Sequence, residues 1–174
     1  KAINALTVRD KGDAEIRDYI KLRNTRPFMV TEQESLPAKK SVFNRIIGDS
    51  HFELEFAAFL EQCKDVVAYA KNYLAVNFKL DYVNRDGNIS HYYPDFIVKL
   101  PKNRIVIVET KGNADLDTPL KMERLRQWCE DVNKAQNEVR YECLYVEQEE
   151  FEKYGAKDFG ELTKIFQCYK TNEQ

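Results

Sequence analysis

The stretch "YYPDFIVKLPKNRIVIVETKG", Tyr92 to Gly112, holds two runs of buried-strand residues, "FIV" and "IVIV". Asp95 stands at the outer end of the first run, and Glu109 and Lys111 at the outer end of the second. If the runs pair as a hairpin around Pro101-Lys102-Asn103, opposite partners have residue numbers that sum to 204. Asp95 then lies across from Glu109, with Cβ atoms about 4.5–5.5 Å apart. A two-residue loop would instead offset Asp95 by one position. Side chains alternate along a strand, so Glu109 and Lys111 share one face and Thr110 takes the other.

Two carboxylates at that spacing repel by about 3 kcal/mol at an effective dielectric near ~20. Uncompensated, one should take up a proton. A divalent cation removes the conflict. Mg²⁺ is a hard ion that takes a few carboxylate oxygens, keeps several waters and meets phosphate oxygens, with Mn²⁺ as a substitute. Lys111 beside it offsets charge or helps to orient and deprotonate a water. Such equipment suits metal-assisted hydrolysis of a phosphodiester. The competing reading is a plain surface ion pair, Asp95–Lys111 or Glu109–Lys111, worth little.

Outward from the hairpin, Ser50-His51-Phe52-Glu53 has the form of a capping box. It opens a helix whose Phe52, Phe56, Phe59, Leu60 and Cys63 share a face. "VVAYA", "FKLDYV", "ISHYYPDFIVKL" and "RIVIVETK" read as strands, with an Asp-Gly turn in "NRDGN". Thr118-Pro119 starts a second helix, lined on one side by Met122, Leu125, Trp128, Cys129 and Val132. "RYECLYV" is a further strand and 158–169 a terminal helix. The expected fold is α/β, a mixed sheet flanked by helices, with hairpins in front and a helical crossover behind. Residues 1–48 read as a lead-in, weakly helical around "AEIRDYIKLR" and loop in "RPFMVTEQESLPAKK"; 49–174 form the main domain.

At 174 residues the chain has room for one buried core. With 43% hydrophobic and 32% charged residues it reads as an ordinary globular protein. No apolar run reaches the roughly 18–20 residues of a membrane span, and no signal-peptide pattern is present, so a cytoplasmic location is expected. Four scattered cysteines without CxxC spacing argue against structural zinc and for reduced thiols. The start at Lys-Ala-Ile, without Met, is expected of a piece excised from a longer protein. The net charge of −2 excludes holding nucleic acid by bulk charge. Residues 1–48 nevertheless carry ten Lys/Arg against six Asp/Glu, while "VEQEEFE" near the C-terminus is acidic. A phosphate loop is missing, since "GAKDFGELTK" lacks a lysine in the required place.

Pro94-Asp95 followed by Glu109-Thr110-Lys111 resembles the PD-(D/E)XK nuclease signature. "SHFELEFAAFLEQCKDVVAYAKN", "YYPDFIVKL", "IVIVETKGNADLD" and "RQWCEDVN" add a resemblance to the C-terminal endonuclease domain of the Res subunit of type III restriction enzymes, and to related bacterial DEAD/DEAH helicase-nucleases. It runs from "SVFNRIIGDS" to "RYECLYV" in matching order. The resemblance implies a restriction-endonuclease-like αβββαβ core. It implies Asp95 and Glu109 as side-chain ligands of Mg²⁺, the Thr110 carbonyl as a further ligand, and Lys111 as the group that positions and activates water. An acid from the first helix is often added; Glu53 matches best, although its capping box gives it a structural job and Glu55 flanks the same face. The implied partners are double-stranded DNA, an upstream helicase region that uses ATP outside this chain, and a methylation and specificity subunit.

Weaker candidates for phosphate contact are Lys71, with Asn72 in what reads as a solvated turn, and Lys121 at a helix start. Tyr92 and Tyr93 either flank the site or pack, and His51 and His91 read as bystanders. The alternatives are a non-catalytic nuclease-fold module that docks a helicase or partner subunit, and a nuclease acting on RNA or single strands.

Overall fold

In the computed structural model, which describes residues 15–16, 19–29, 33–113 and 115–166, the strands Phe96–Leu100 and Arg104–Lys111 pair antiparallel. Leu100 faces Arg104 and Phe96 faces Val108, so the partners sum to 204. The turn between them holds Lys102 and Asn103 at φ 59° and 55°. Asparagine tolerates this left-handed region; lysine is uncommon there.

In chain order the elements are β1 (Ser35–Pro37), β2 (Arg45–Ile47), α1 (His51–Gln62), β3 (Ala68–Lys71), β4 (Leu80–Val83), β5 (Ile89–Tyr92), β6 (Phe96–Leu100), β7 (Arg104–Lys111), α2 (Thr118–Ala135), β8 (Arg140–Glu147), α3 (Gln148–Tyr154) and α4 (Phe159–Ile165). The main sheet has the order β3-β6-β7-β8. Its first two pairings are antiparallel, and β7–β8 is parallel from Arg104↔Arg140 to Lys111↔Glu147. A parallel pair needs a crossover, and α2 supplies it. The expected α/β architecture, a mixed sheet flanked by helices, is therefore present. Taken alone, α1, β3, β6, β7, α2 and β8 follow the order αβββαβ.

Alternation along the strands divides the core. Val98, Val106, Val108, Leu144 and Val146 pack with Phe52, Phe56 and Leu60 of α1 and Phe159 and Leu162 of α4. Ile107 and Tyr145 pack with Met122, Leu125 and Cys129 of α2. Both faces of β7 are thus dry, which explains its near-continuous apolar run.

Several sequence expectations are corrected. "ISHYYPDFIVKL" is two strands, because Pro94 has no N–H to continue a ladder. Among the described residues β5 pairs only with β4, forming a separate hairpin closed by the expected turn with Gly87 at φ 79°. That hairpin leans on α2: Arg124 Nε donates to the Asp81 carbonyl at 3.1 Å, and Leu80 and Tyr82 join the second core. The supposed loop at 26–40 contains β1, which pairs with β2 and carries the chain into the core at Ile46. The Glu61 carboxylate holds it there by accepting from the backbone N–H of Lys39 and Lys40.

Of the helical pattern at 14–23, residues 14, 17 and 18 lie outside the described residues; the described part makes one 3-10 turn at Leu22–Asn24. Of the terminal helix at 158–169, α4 forms, and 167–169 lie outside the described residues. The acidic run near residue 150 folds as α3, whose Phe151 packs on Phe52, Phe56 and Phe59. Cys63 and Cys129 are free and buried, whereas Cys143 is disulfide-bonded, so the thiols are not all reduced as expected.

Gly48 sets the entry to α1. A Cβ there would lie 2.6 Å from the Ser50 carbonyl oxygen and 2.7 Å from Leu54 Cγ. Gly48→Ala should therefore lose about 1–3 kcal/mol through overpacking. The check is the urea midpoint, which should fall with an unchanged slope.

Candidate functional site

The C-terminal ends of β3 and β7 and the N-terminal end of β6 meet at one edge of the sheet. The regular ladder between β6 and β7 stops at Phe96–Val108. One residue further out, the Asp95 N–H bonds the Val108 carbonyl at 3.1 Å, while the Asp95 carbonyl accepts from Asn72 N–H at 2.7 Å. Asp95 is thus tied to both neighbouring strands just where β6 begins. Its side chain turns onto β7. Oδ2 accepts from both the N–H and the Oγ1 hydroxyl of Thr110, each at 2.7 Å. The direct Asp95–Glu109 opposition read from the hairpin therefore gives way to a strand end folded against Thr110.

Glu109 is only 5% exposed. Its Oε2 accepts from the Tyr92 hydroxyl at 2.9 Å, and its Oε1 lies 4.0 Å from Lys111 Nζ. Tyr92 both packs in the core and reaches the site, the two roles between which the sequence left it. Lys111 also lies 3.5 Å from Asp115, and Lys121 binds the same Asp115 oxygen at 2.8 Å. Asp115 is a member that sequence reasoning missed. Its signal was an acid four residues after Lys111 and six before Lys121, which the "GNADLD" loop brings back to both.

Glu53 points inward from α1, 8% exposed, and Lys71 Nζ meets its Oε2 at 2.6 Å. The capping box forms in part: Ser50 Oγ accepts from Glu53 N–H, while the Glu53 carboxylate accepts from Asp49 N–H. Glu55 instead turns to His51, at 3.4 Å. His51 pairs outward with Glu34 and Glu55, and His91 with Asp81, so both stand apart from the acids. The solvated turn expected at Lys71-Asn72 is not what forms. Lys71 is 2% exposed and Asn72 is buried, its Nδ2 donating to the carbonyls of Phe78 and Pro94 at 2.7 Å each. A lysine so enclosed is not a surface contact for phosphate.

Burial pushes the Asp95 carboxyl up from its usual range; the Thr110 N–H opposes this and the Glu53 charge adds to it. Burial, and next the Asp95 charge, hold Glu109 well above the carboxylate range against its Tyr92 hydrogen bond and Lys111. Asp115 behaves oppositely. Its partial burial is outweighed by Lys121, Thr118 and Lys111, which lower it to about 2. Burial would lower Lys71, yet Glu53, Asp95 and Asp49 together raise it.

The donor chemistry fits a hard divalent cation. The half-buried Asp95 stands near enough to the buried Glu109 for its charge to resist the ionisation of Glu109, and such ions are held by one or two carboxylates with waters and phosphate filling the remaining positions. Among the described residues, no three His, Cys, Asp or Glu side chains are grouped to hold a metal, so Glu53 does not complete a ready-made triad.

A family model described as an endonuclease domain matches residues 39–149, well over half of the chain. The chain belongs to this endonuclease-domain family. It is a restriction-endonuclease-like domain and by family a nuclease, hence a hydrolase. The matched span includes the whole main sheet together with Glu53, Lys71, Asp95, Glu109, Thr110, Lys111 and Lys121. Searches of the curated proteins and of the solved structures found no match. No helix among the described residues is long and apolar enough to cross a membrane.

The raised carboxyls of this endonuclease domain predict a pH signature. Each holds its proton more tightly folded than unfolded. Their contribution is therefore fully present below about pH 4, the unfolded range, and is lost as pH rises through the raised values. Asp115 acts the other way, losing its contribution as pH falls from about 4 towards about 2. With chelator present, Glu109→Gln should raise the urea midpoint at pH 7 and flatten its decline between pH 4 and 8. Parallel curves for wild type and variant would contradict the assignment.

Proposed function

We propose that this endonuclease domain hydrolyses DNA phosphodiester bonds with Mg²⁺ held by Asp95 and Glu109, as the cleavage module of a type III restriction enzyme. The observation that carries the reading is the geometry at the end of the sheet, where the half-buried Asp95 is clamped on Thr110, the buried Glu109 is held by Tyr92, and Lys111 lies alongside. A divalent cation bound there would lower the pKa of a bound water and offset charge on the phosphate. The chain's own residues do the positioning. Thr110 fixes one Asp95 oxygen and Tyr92 fixes one Glu109 oxygen, so neither carboxylate swings freely. The Thr110 carbonyl, between the two signature residues in sequence, is the proposed backbone ligand.

Lys111 is the proposed water-positioning group. Its ammonium stays near Glu109 and is steadied by Asp115, which it shares with Lys121. Lys121 is then the weak candidate for phosphate contact, its position fixed by Asp115 rather than by a free helix start. Mn²⁺ is proposed as a substitute metal. The proposed setting is cytoplasmic, with double-stranded DNA as substrate, an ATP-using helicase region of the parent protein and a methylation and specificity subunit. The near-neutral charge supports delivery to DNA by such partners.

Metal binding is the first test. Calorimetric titration with Mg²⁺ or Mn²⁺, repeated with a short duplex, should show binding in wild type and none in Asp95→Ala. Binding by neither protein, with or without the duplex, would sink the reading. In cleavage assays at high enzyme concentration, Asp95→Ala and Glu109→Ala should abolish cutting. Lys111→Ala should slow it by about 10²–10⁴-fold, the range of a lost acid–base group. Wild-type rates in all three would show that the chemistry lies elsewhere.

A further inference from the structure

Lys71 has no part in the reaction as drawn, yet it is the most enclosed charge at the site. It ends β3, with Nζ 2.6 Å from Glu53 Oε2 and 3.1 Å from Asp49 Oδ2. Its ammonium also stands 5.7 Å from the Phe96 ring centroid and 5.8 Å from that of Tyr73, so aromatic faces wall it in. The next residue, Asn72, bonds the Pro94 carbonyl through its side chain and the Asp95 carbonyl through its N–H. Lys71 therefore joins the helix acid to the same strand end that places Asp95.

We infer that Lys71 is a positioning residue, whose enclosed ammonium holds the Glu53 carboxylate facing the Asp95 end of the sheet. The inference rests on the nuclease reading above and assigns Lys71 to the protein's interior rather than to DNA. Geometry supports this in two ways. A side chain 2% exposed cannot reach a phosphate without unpacking Phe96 and Tyr73. Among the described residues the Glu53 carboxylate is held by Lys71 Nζ and the Asp49 N–H, so removing Lys71 leaves it the Asp49 N–H.

The test compares wild type, Lys71→Met, Glu53→Gln and the double variant, with duplex-binding salt slopes, Mg²⁺ titration and single-turnover cleavage. Lys71→Met should cut at least about tenfold slower, as when an outer partner of a site residue is lost. Duplex affinity and its salt slope should not change, and Mg²⁺ should bind as tightly or more tightly, because a nearby positive charge is gone. The double variant removes both charges and keeps the proposal testable if Lys71→Met does not fold. It should cut no more slowly than Glu53→Gln, because Lys71 acts through Glu53.

Cutting by Lys71→Met within twofold of wild type overturns the inference and leaves the nuclease reading intact. So does a double variant much slower than Glu53→Gln. A salt slope reduced by about one would make Lys71 a phosphate contact instead. A wild type that neither binds metal nor cuts overturns the nuclease reading and the inference with it.

Discussion

The clamp of Asp95 on Thr110 is the contact on which the rest of the site depends. Pro94 follows β5 and cannot donate to a ladder, so the backbone bonds into β6 begin at Asp95, with Val108 and Asn72. The carboxylate reinforces them. By accepting the Thr110 N–H and hydroxyl, Asp95 ties the start of β6 to the end of β7 and comes to rest beside Glu109. One side chain thus closes a gap in the sheet and brings the second acid into the site. Asn72, next after β3, completes the junction through the carbonyls of Pro94 and Asp95.

Those bonds stabilise a charge that the surroundings oppose. A carboxylate drawn in from solvent is costly unless several donors or a counter-ion compensate it. Two Thr110 donors do not bring Asp95 back to its ordinary range, and a single tyrosine hydroxyl does less for Glu109. A fold selected only for stability would place apolar residues at these positions, as it does at Val98, Val106 and Val108 in the same strands. The cost is confined to the end of the sheet.

Much of this was legible in the sequence because it follows from short-range rules. The register came from the three-residue turn, the shared face of Glu109 and Lys111 from alternation along β7, and the crossover from Pro119 at the start of α2. What was not legible depends on contacts between distant segments. β1 has three residues and little periodicity; it exists because Arg45–Ile47 pairs with it and Glu61 holds the following turn. Lys71 looked solvated because nothing near it in sequence is acidic, while its partners, Asp49 and Glu53, arrive from a preceding helix entry. Asp115 was passed over as loop for the same reason. The pairing of residues 109 and 111 with 115 and 121 appears only once the loop closes over the strand end.

The lysines explain why the central acids stay uncompensated. Lys71 is committed to Glu53 and Asp49, and Lys121 to Asp115. Lys111 divides its charge between Asp115 at 3.5 Å and Glu109 at 4.0 Å, nearer the former. One side of the site thus sets one lysine against two acids and the other sets two lysines on one acid, with Asp95 and Glu109 between them. Had a lysine reached both central carboxylates, their pKa values would fall and the pull on a divalent ion would weaken with them. Holding each ammonium on an outer acid keeps positive charge close enough to meet a polyanion, yet off the atoms where a metal would sit. Asp49, Glu53 and Asp115 are thus as much a part of the site's design as the two carboxylates they flank, because they keep the cations in place.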